Sequence, residues 1–203
     1  MNPLIPKAIG STVVLSALGT GTYFGVKEWT REETLREKLT KANFRFIKMG
    51  EKAQWDLEFK SDETTIKQEL GAHVTGGDKL EQECQKMLNS SSDVNLVKAK
   101  KWCGIRSISN QLSRNKKTFL VADNSRDVEA KWTATYGKRR TDVADMKKVG
   151  LTESWPDNEN AGLAKVKEWC GKQVNVDYSV TNVETYEVTE AWCTEQGAQA
   201  TFK

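Results

Sequence analysis

Proline and histidine are scarce in this 203-residue chain, which contains three prolines and one histidine. Since the prolines are confined to Pro3, Pro6 and Pro156, most of the sequence is free to form helices. The single imidazole, His73, lies in a glycine-containing stretch, and no serine or cysteine stands in a recognisable nucleophile motif. Phosphate-binding glycine loops and dinucleotide-binding fingerprints are also missing. We therefore predict that the protein is not an enzyme and has no catalytic residues and no cofactor.

An excess of charge of one sign is also missing, because 31 basic and 28 acidic residues leave a net charge of only +3. A dedicated nucleic-acid-binding domain would carry a clear basic excess. The short basic runs at 98–101, 114–117 and 138–140 are typical of solvated helix faces. The sequence therefore predicts no nucleic-acid partner.

The four cysteines lie too far apart for the usual zinc clusters, since the closest two are separated by 19 residues. With only one histidine to add to them, we expect no metal site. Three of the cysteines directly follow a tryptophan, in the pairs 102–103, 169–170 and 192–193. This pairing is the most specific local pattern in the chain.

Two states of these cysteines remain open. In an exported chain an even number favours disulfides, and two helices joined by a turn can bring cysteines about 20 residues apart face to face. This reasoning favours Cys84 with Cys103 and Cys170 with Cys193. The alternative is four free thiols that pack as small apolar side chains beside the tryptophans. Cys103 can also be aligned with Cys170, in which case the repeat boundary lies elsewhere.

The N-terminal segment contains no charged residue from Ala8 to Val26. Its 19 residues are just enough to span the hydrocarbon core of a bilayer as a helix. Many glycine, serine and threonine residues dilute it, so the pattern also fits a cleaved signal peptide whose apolar core ends near residues 17–19, or a buried helix. We predict a transmembrane signal-anchor at 1–27 that contacts the membrane through residues 8–26, with the rest of the chain outside the cell.

The remaining chain has apolar residues at helical spacing, which predicts a mainly α fold. A capping box at Thr30 and Glu33 precedes the apolar residues Leu35 and Phe46, and this pattern predicts a first helix of about four turns. Residues 174–180, where apolar and polar residues alternate, suggest a minor β element, and the pattern of residues 181–192 is ambiguous between helix and strand.

A short aromatic pattern occurs twice in the chain. Trp55 and Phe59, four residues apart, have counterparts in Trp132 and Tyr136, and an alanine precedes each tryptophan by two residues. Residues four apart share one face of a helix, so each pair is predicted to bury a large apolar area. We interpret all four aromatic residues as structural core residues.

The repeated pattern and the two cysteines in each half indicate a tandem duplication. We predict two related small helical units at 28–115 and 116–203. The polar stretch 106–117 has no strong apolar stripe and is interpreted as the linker between them.

Several features of the chain resemble those of a known group of proteins. They are the short glycine-rich hydrophobic N-terminus, the helix Leu35-Arg-Glu-Lys-Leu39, the Trp55 and Phe59 pair, the cysteine helix from Leu80 to Leu88 and the closing Trp-Cys pairs. In these features the chain resembles the large paralogous families of uncharacterised proteins of haemotropic mycoplasmas. The resemblance covers nearly the whole chain.

The resemblance implies a surface protein of a wall-less bacterium that attaches to red cells, and it supplies no catalytic residues. Together with the N-terminal segment, it predicts a membrane-anchored surface protein with a host-interaction or antigenic role. Its partner is then a protein or glycan on the host surface. The alternative is a structural or assembly protein of the cell membrane, which a cytoplasmic body would favour.

Overall fold

The computed structural model describes residues 31–152 and 159–199. The predicted membrane segment at 8–26 lies outside these residues. Among the helices that are described, none is both long enough and apolar enough to cross a membrane. The prediction of a mainly helical fold is confirmed for the part of the chain that the structure describes.

Nine α-helices and three short 3-10 turns form the described part of the chain. The helices are α1 Leu35–Lys41, α2 Lys52–Leu70, α3 Gly77–Asn89, α4 Leu96–Trp102, α5 Ile108–Arg114, α6 Val128–Arg139, α7 Val143–Lys148, α8 Glu159–Gln173 and α9 Val183–Cys193. The 3-10 turns are Asp93–Asn95, Leu120–Ala122 and Glu195–Ala198.

The first helix is shorter than predicted. Its capping box is formed by Thr34 and Glu37, since the Glu37 amide donates to Thr34 Oγ1 at 3.3 Å and the Thr34 amide donates to Glu37 Oε2 at 2.8 Å. After α1 ends at Lys41, Asn43 adopts a left-handed backbone conformation with φ 56°, which turns the chain away from the helix axis. Phe46 then forms an isolated antiparallel bridge with Gly104, so the predicted helix through Phe46 was wrong.

The predicted β element at 174–180 was also wrong, because the described residues there contain no strand. A single antiparallel bridge joins Asp177 to Ser107, and the Ile108 amide donates to the Val176 carbonyl at 2.7 Å. The pairing extends no further because the chain enters α5 at Ile108. The ambiguous segment that follows residue 182 forms helix α9.

Buried apolar side chains form two clusters. The first cluster comprises buried residues between Leu35 and Cys103, and the second comprises buried residues between Ile108 and Cys193. Both belong to the unit that the chain forms from Thr34 onward. The change from one cluster to the other therefore falls between Cys103 and Ile108.

The stretch 106–117 is more than the linker that the sequence suggested. It contains α5, whose Ile108 and Leu112 side chains are completely buried in the second cluster. Gln111, on the same short helix, is also completely buried. Most other residues of the stretch are polar, and two of its arginines bind buried carboxylates of the first half.

Candidate functional site

The four aromatic residues of the repeated pattern lie in the two apolar clusters. Trp55 and Phe59 project from α2 into the first cluster, and Trp132 and Tyr136 project from α6 into the second. All four side chains are buried. Trp55 also donates from Nε1 to the Lys48 carbonyl at 3.0 Å. The four residues are not brought together, and each pair belongs to the core of its own half.

The close packing of Tyr136 requires a glycine on the facing helix. A Cβ atom at Gly162 of α8 would lie 2.0 Å from the Tyr136 hydroxyl oxygen, which is far inside van der Waals contact. Gly162 thus allows α8 to approach α6 closely. Since the hydroxyl is a rigid end of the aromatic side chain, an alanine at this position would force the two helices apart.

The four cysteines form the two disulfides that the sequence analysis favoured. Cys84 of α3 is bonded to Cys103, which directly follows α4, and their Cα atoms are 5.5 Å apart. Cys170 of α8 is bonded to Cys193 at the end of α9, with Cα atoms 5.7 Å apart. All four cysteines are completely buried, and none is free.

We expect each disulfide to contribute about 3 kcal/mol, because it closes a loop of 19 or 23 residues in the unfolded chain. Replacing Cys84 and Cys103 together with serine should therefore lower the melting temperature by roughly 10 °C. The helical circular dichroism spectrum should persist, because the tryptophan-centred clusters remain. Peptide mass mapping of the unreduced protein tests the pairing, and four free thiols or a Cys103–Cys170 bond would contradict it.

A buried ionic network, which sequence reasoning missed, lies where the two halves meet. Glu58 and Asp62 of α2 face Arg106, just before α5, and Arg114, at the end of α5. Arg106 pairs with Glu58 and, through Nη1, with Asp62 Oδ2 at 3.1 Å. Arg114 Nη1 lies 3.0 Å from Asp62 Oδ2 and 3.4 Å from Glu58 Oε1. The side chains of Glu58 and Arg106 are only 2% and 7% exposed, so each buried charge is stabilised mainly by the opposite charge of its partner.

The network continues into the second cluster through uncharged groups. Arg106 Nη1 donates to Gln111 Oε1, and Gln111 Nε2 donates to Asn115 Oδ1 at 3.3 Å. Asn115 Nδ2 donates to the Tyr186 hydroxyl of α9 at 2.8 Å. Burial raises the pKa of Tyr186 above its ordinary value, so this hydroxyl stays neutral at neutral pH. A continuous set of polar contacts thus links α2 with α9.

On its other side the network packs against a tryptophan. The Arg114 guanidinium lies over the Trp102 ring at 4.6 Å and donates from Nη2 to the Lys101 carbonyl at 2.9 Å. Trp102 Nε1 donates to Glu69 Oε2 at 2.9 Å, and Lys101 Nζ lies 2.5 Å from Glu69 Oε1. Arg114 is therefore fixed both by carboxylates and by the residue that precedes Cys103.

Burial changes the acidity of two members of the network. It lowers the pKa of the Arg106 guanidinium to about 9, and the nearby positive charge of Arg114 acts in the same direction. Burial raises the pKa of the Asp62 carboxyl, and the bonds from Arg114 oppose that change. Arg106 is thus still charged at neutral pH.

Asp62 also departs from helical geometry, with φ −141° and ψ 26°, so α2 is kinked at the residue that binds both arginines.

A groove of about 240 Å³ opens beside the network. Its lining residues are Phe44, Lys100, Lys101, Gly104, Ile105, Arg106, Asn110 and Arg114. Three of the four cations already bind the carboxylates of Glu58, Asp62 and Glu69. Because their charge is compensated, Lys100 is the main source of uncompensated positive charge in this groove.

The single histidine and the possible metal ligands form no site in the part of the chain that the structure describes. His73 is exposed, and its Nε2 lies 3.2 Å from Glu83 Oε1 on the surface of α3. No group of three or more histidine, cysteine, aspartate or glutamate side chains within 31–152 and 159–199 is arranged to hold a metal ion. Apart from the pair of His73 and Glu83, the features described above are paired charges and buried disulfides.

One signal in the sequence points to the ionic network. Glu58 and Asp62 are four residues apart and fall on the face of α2 that carries Trp55, Phe59 and Ile66. Carboxylates on an apolar helix face require buried cations, because an isolated buried charge is strongly unfavourable. The pattern predicts that partners exist, although it does not identify them.

The chain matched no protein-family model, no curated protein and no solved structure when it was compared with all three. Its function is therefore argued from its own residues, their contacts and their charges.

Proposed function

We propose that this protein is a membrane-anchored surface protein whose helical body lies outside the cell and contacts a protein or glycan on a host surface, without catalysing a reaction. The observation that carries the proposal is the pair of buried disulfides, Cys84–Cys103 and Cys170–Cys193. Disulfides persist in oxidising compartments and are rare in the cytosol, where thiols are kept reduced. All cysteines of the body are consumed in these bonds, which is the pattern expected of an exported domain.

Two features of the sequence support the membrane anchor and the surface role. The uncharged segment 8–26 is long enough to cross a bilayer. The resemblance to surface proteins of haemotropic mycoplasmas, stated above, agrees with a body that is displayed to a host. The anchor would keep such a body at the cell surface.

We further propose that the body arose by tandem duplication. Each half presents, in the same order, a helix with a tryptophan and an aromatic residue, a helix with one cysteine and a helix that ends at or directly before the second cysteine. These helices are α2, α3 and α4 in the first half and α6, α8 and α9 in the second. A core and a disulfide of its own in each half agree with this origin.

The location of the body can be tested by protease treatment of intact cells that express the full chain. We expect peptides from residues 34–203 to be released into the medium while a cytoplasmic marker protein stays intact. If the body is digested only after the membrane is broken, it faces the cytoplasm. That result would reject the surface role and favour the alternative, a structural or assembly protein of the membrane.

The anchor can be tested separately by placing charge in the segment 8–26. Replacing Val14 and Leu18 together with arginine should release the protein from the membrane fraction, because an arginine near the bilayer centre costs about 2.5–3.5 kcal/mol on insertion scales. The matched control is Val14→Leu with Leu18→Val, which keeps the segment apolar and should leave it in the membrane fraction. Equal membrane retention of both variants would reject the anchor.

A further inference from the structure

Two valines are far more exposed than the other large apolar residues in the described part of the chain. Val94, in the 3-10 turn before α4, is 85% exposed, and Val97, in the first turn of α4, is 75% exposed. Met49, Val121 and Val180 reach only 37–45%. Residues three apart in such a turn lie next to each other, so the two valines form one apolar surface that water covers in the isolated protein.

A positive charge adjoins this apolar surface. Lys100 follows Val97 by three residues, and the two therefore share a face of α4. Lys100 is exposed and has no ion-pair partner in the residues that the structure describes. The neighbouring Lys101 is paired with the Glu69 carboxylate, and Lys98 Nζ donates to the Glu69 backbone carbonyl. We refer to Val94, Val97 and Lys100 as the valine–lysine edge.

The valine–lysine edge lies close to the point where the chain enters the body. The Leu35 amide donates to the Ser90 carbonyl at 2.7 Å, and Lys38 Nζ lies 2.7 Å from Asp93 Oδ1. These contacts hold the turn that carries Val94 against the first helix. The stretch 27–34 separates this point from the segment 8–26, and when fully extended it spans at most roughly 30 Å. A tether of this length limits how far the first residue of the body, Thr34, can lie from the bilayer.

We propose that the valine–lysine edge rests in the interface of an anionic lipid bilayer, the same bilayer that holds segment 8–26. Apolar side chains next to a lysine are the combination that favours this interface, where the side chains enter the headgroup region and the cation meets anionic lipid. Two valines and one lysine bind a membrane only weakly by themselves. The tether raises their effective concentration at the bilayer, so a weak contact is occupied. This inference rests on the proposed membrane anchor.

The test uses the full chain reconstituted into vesicles of neutral lipid, with and without anionic phosphatidylserine. A polarity-sensitive fluorophore is attached at Val97→Cys, where the new thiol is the only free one because the native cysteines are in disulfides. The matched control carries the fluorophore at Val121→Cys, a partly exposed valine of the second half. Nitroxide-labelled lipids then report which position enters the membrane.

We expect the emission of the fluorophore at position 97 to shift to the blue and to be quenched by headgroup-level nitroxides, more strongly with phosphatidylserine. The additional substitution Val94→Asp with Lys100→Glu should reverse both changes, and position 121 should show neither. If the protein floats with the vesicles but both positions behave alike, the inference is wrong and the anchor stands. If the protein does not float with the vesicles at all, the anchor is wrong and the inference falls with it.

Discussion

Replacing Arg106 with methionine should lower the free energy of unfolding by about 3–5 kcal/mol, because it removes one partner of a buried ion pair. The Glu58 carboxylate is 2% exposed, and without Arg106 its remaining cation is Arg114 at 3.4 Å. A carboxylate as buried as that of Glu58 stays largely uncompensated when its closest cation is removed. Urea denaturation followed by circular dichroism measures the loss, and the corresponding fall in melting temperature should be on the order of 10 °C.

Two further variants distinguish this effect from a general loss of charge. Arg45→Met removes a partly exposed ion pair with Asp177, in which the side chains are 58% and 34% exposed, and it should cost only about 1 kcal/mol. Adding Glu58→Gln to Arg106→Met should recover part of the stability, because no uncompensated charge is then buried. If Arg106→Met costs no more than Arg45→Met, the network does not stabilise the fold.

The network also bears on how the two halves unfold. Arg106 binds carboxylates of α2 in the first half, while the adjoining α5 buries Ile108 and Leu112 in the second cluster. An intact network therefore favours a single cooperative transition. Each half has its own disulfide and core, so each could retain structure alone. For this reason Arg106→Met is expected to separate the unfolding of the two halves as well as to lower the stability.

The features that were predicted from the sequence depend on local patterns. Helical periodicity and the lack of proline led to the mainly α fold, and the cysteine spacing favoured the two disulfides that the structure contains. The burial of Trp55 and Trp132 follows from the same periodicity, because each lies on the face of its helix that carries other apolar residues. In these cases the nearest residues in sequence decide the outcome.

The features that were missed depend on contacts between distant residues. Arg106 and Asp62 are 44 positions apart, and no local pattern pairs them. The same holds for α5. Its many polar residues made it look like a linker, because the sequence does not show that they contact other helices. The end of α1 was misplaced for a different reason, since Asn43 adopts a positive φ that apolar periodicity does not reveal.

Truncation of the two repeated tryptophans tests the cores of both halves. Trp55→Ala and Trp132→Ala should each cost about 3–5 kcal/mol, since each removes a large buried ring and leaves a cavity. Trp55 is completely buried and also loses its bond to the Lys48 carbonyl, so its variant belongs at the upper end of the range. Trp132 is 4% exposed and borders a surface cavity of about 290 Å³, so its variant belongs at the lower end. Thermal and urea denaturation measure both.

Trp169 provides the matched control, because it is the same residue type in the second half but is only partly buried against its cluster. Trp169→Ala should cost less than Trp132→Ala, since fewer of its contacts are lost and water can occupy part of the vacated space. If the two substitutions lower the free energy of unfolding equally, the repeated helix face that carries Trp132 is no more important for stability than the position of Trp169. If Trp55→Ala and Trp132→Ala both leave the stability unchanged, the repeated aromatic pattern does not mark the cores of two related units, and the proposed duplication loses its main support.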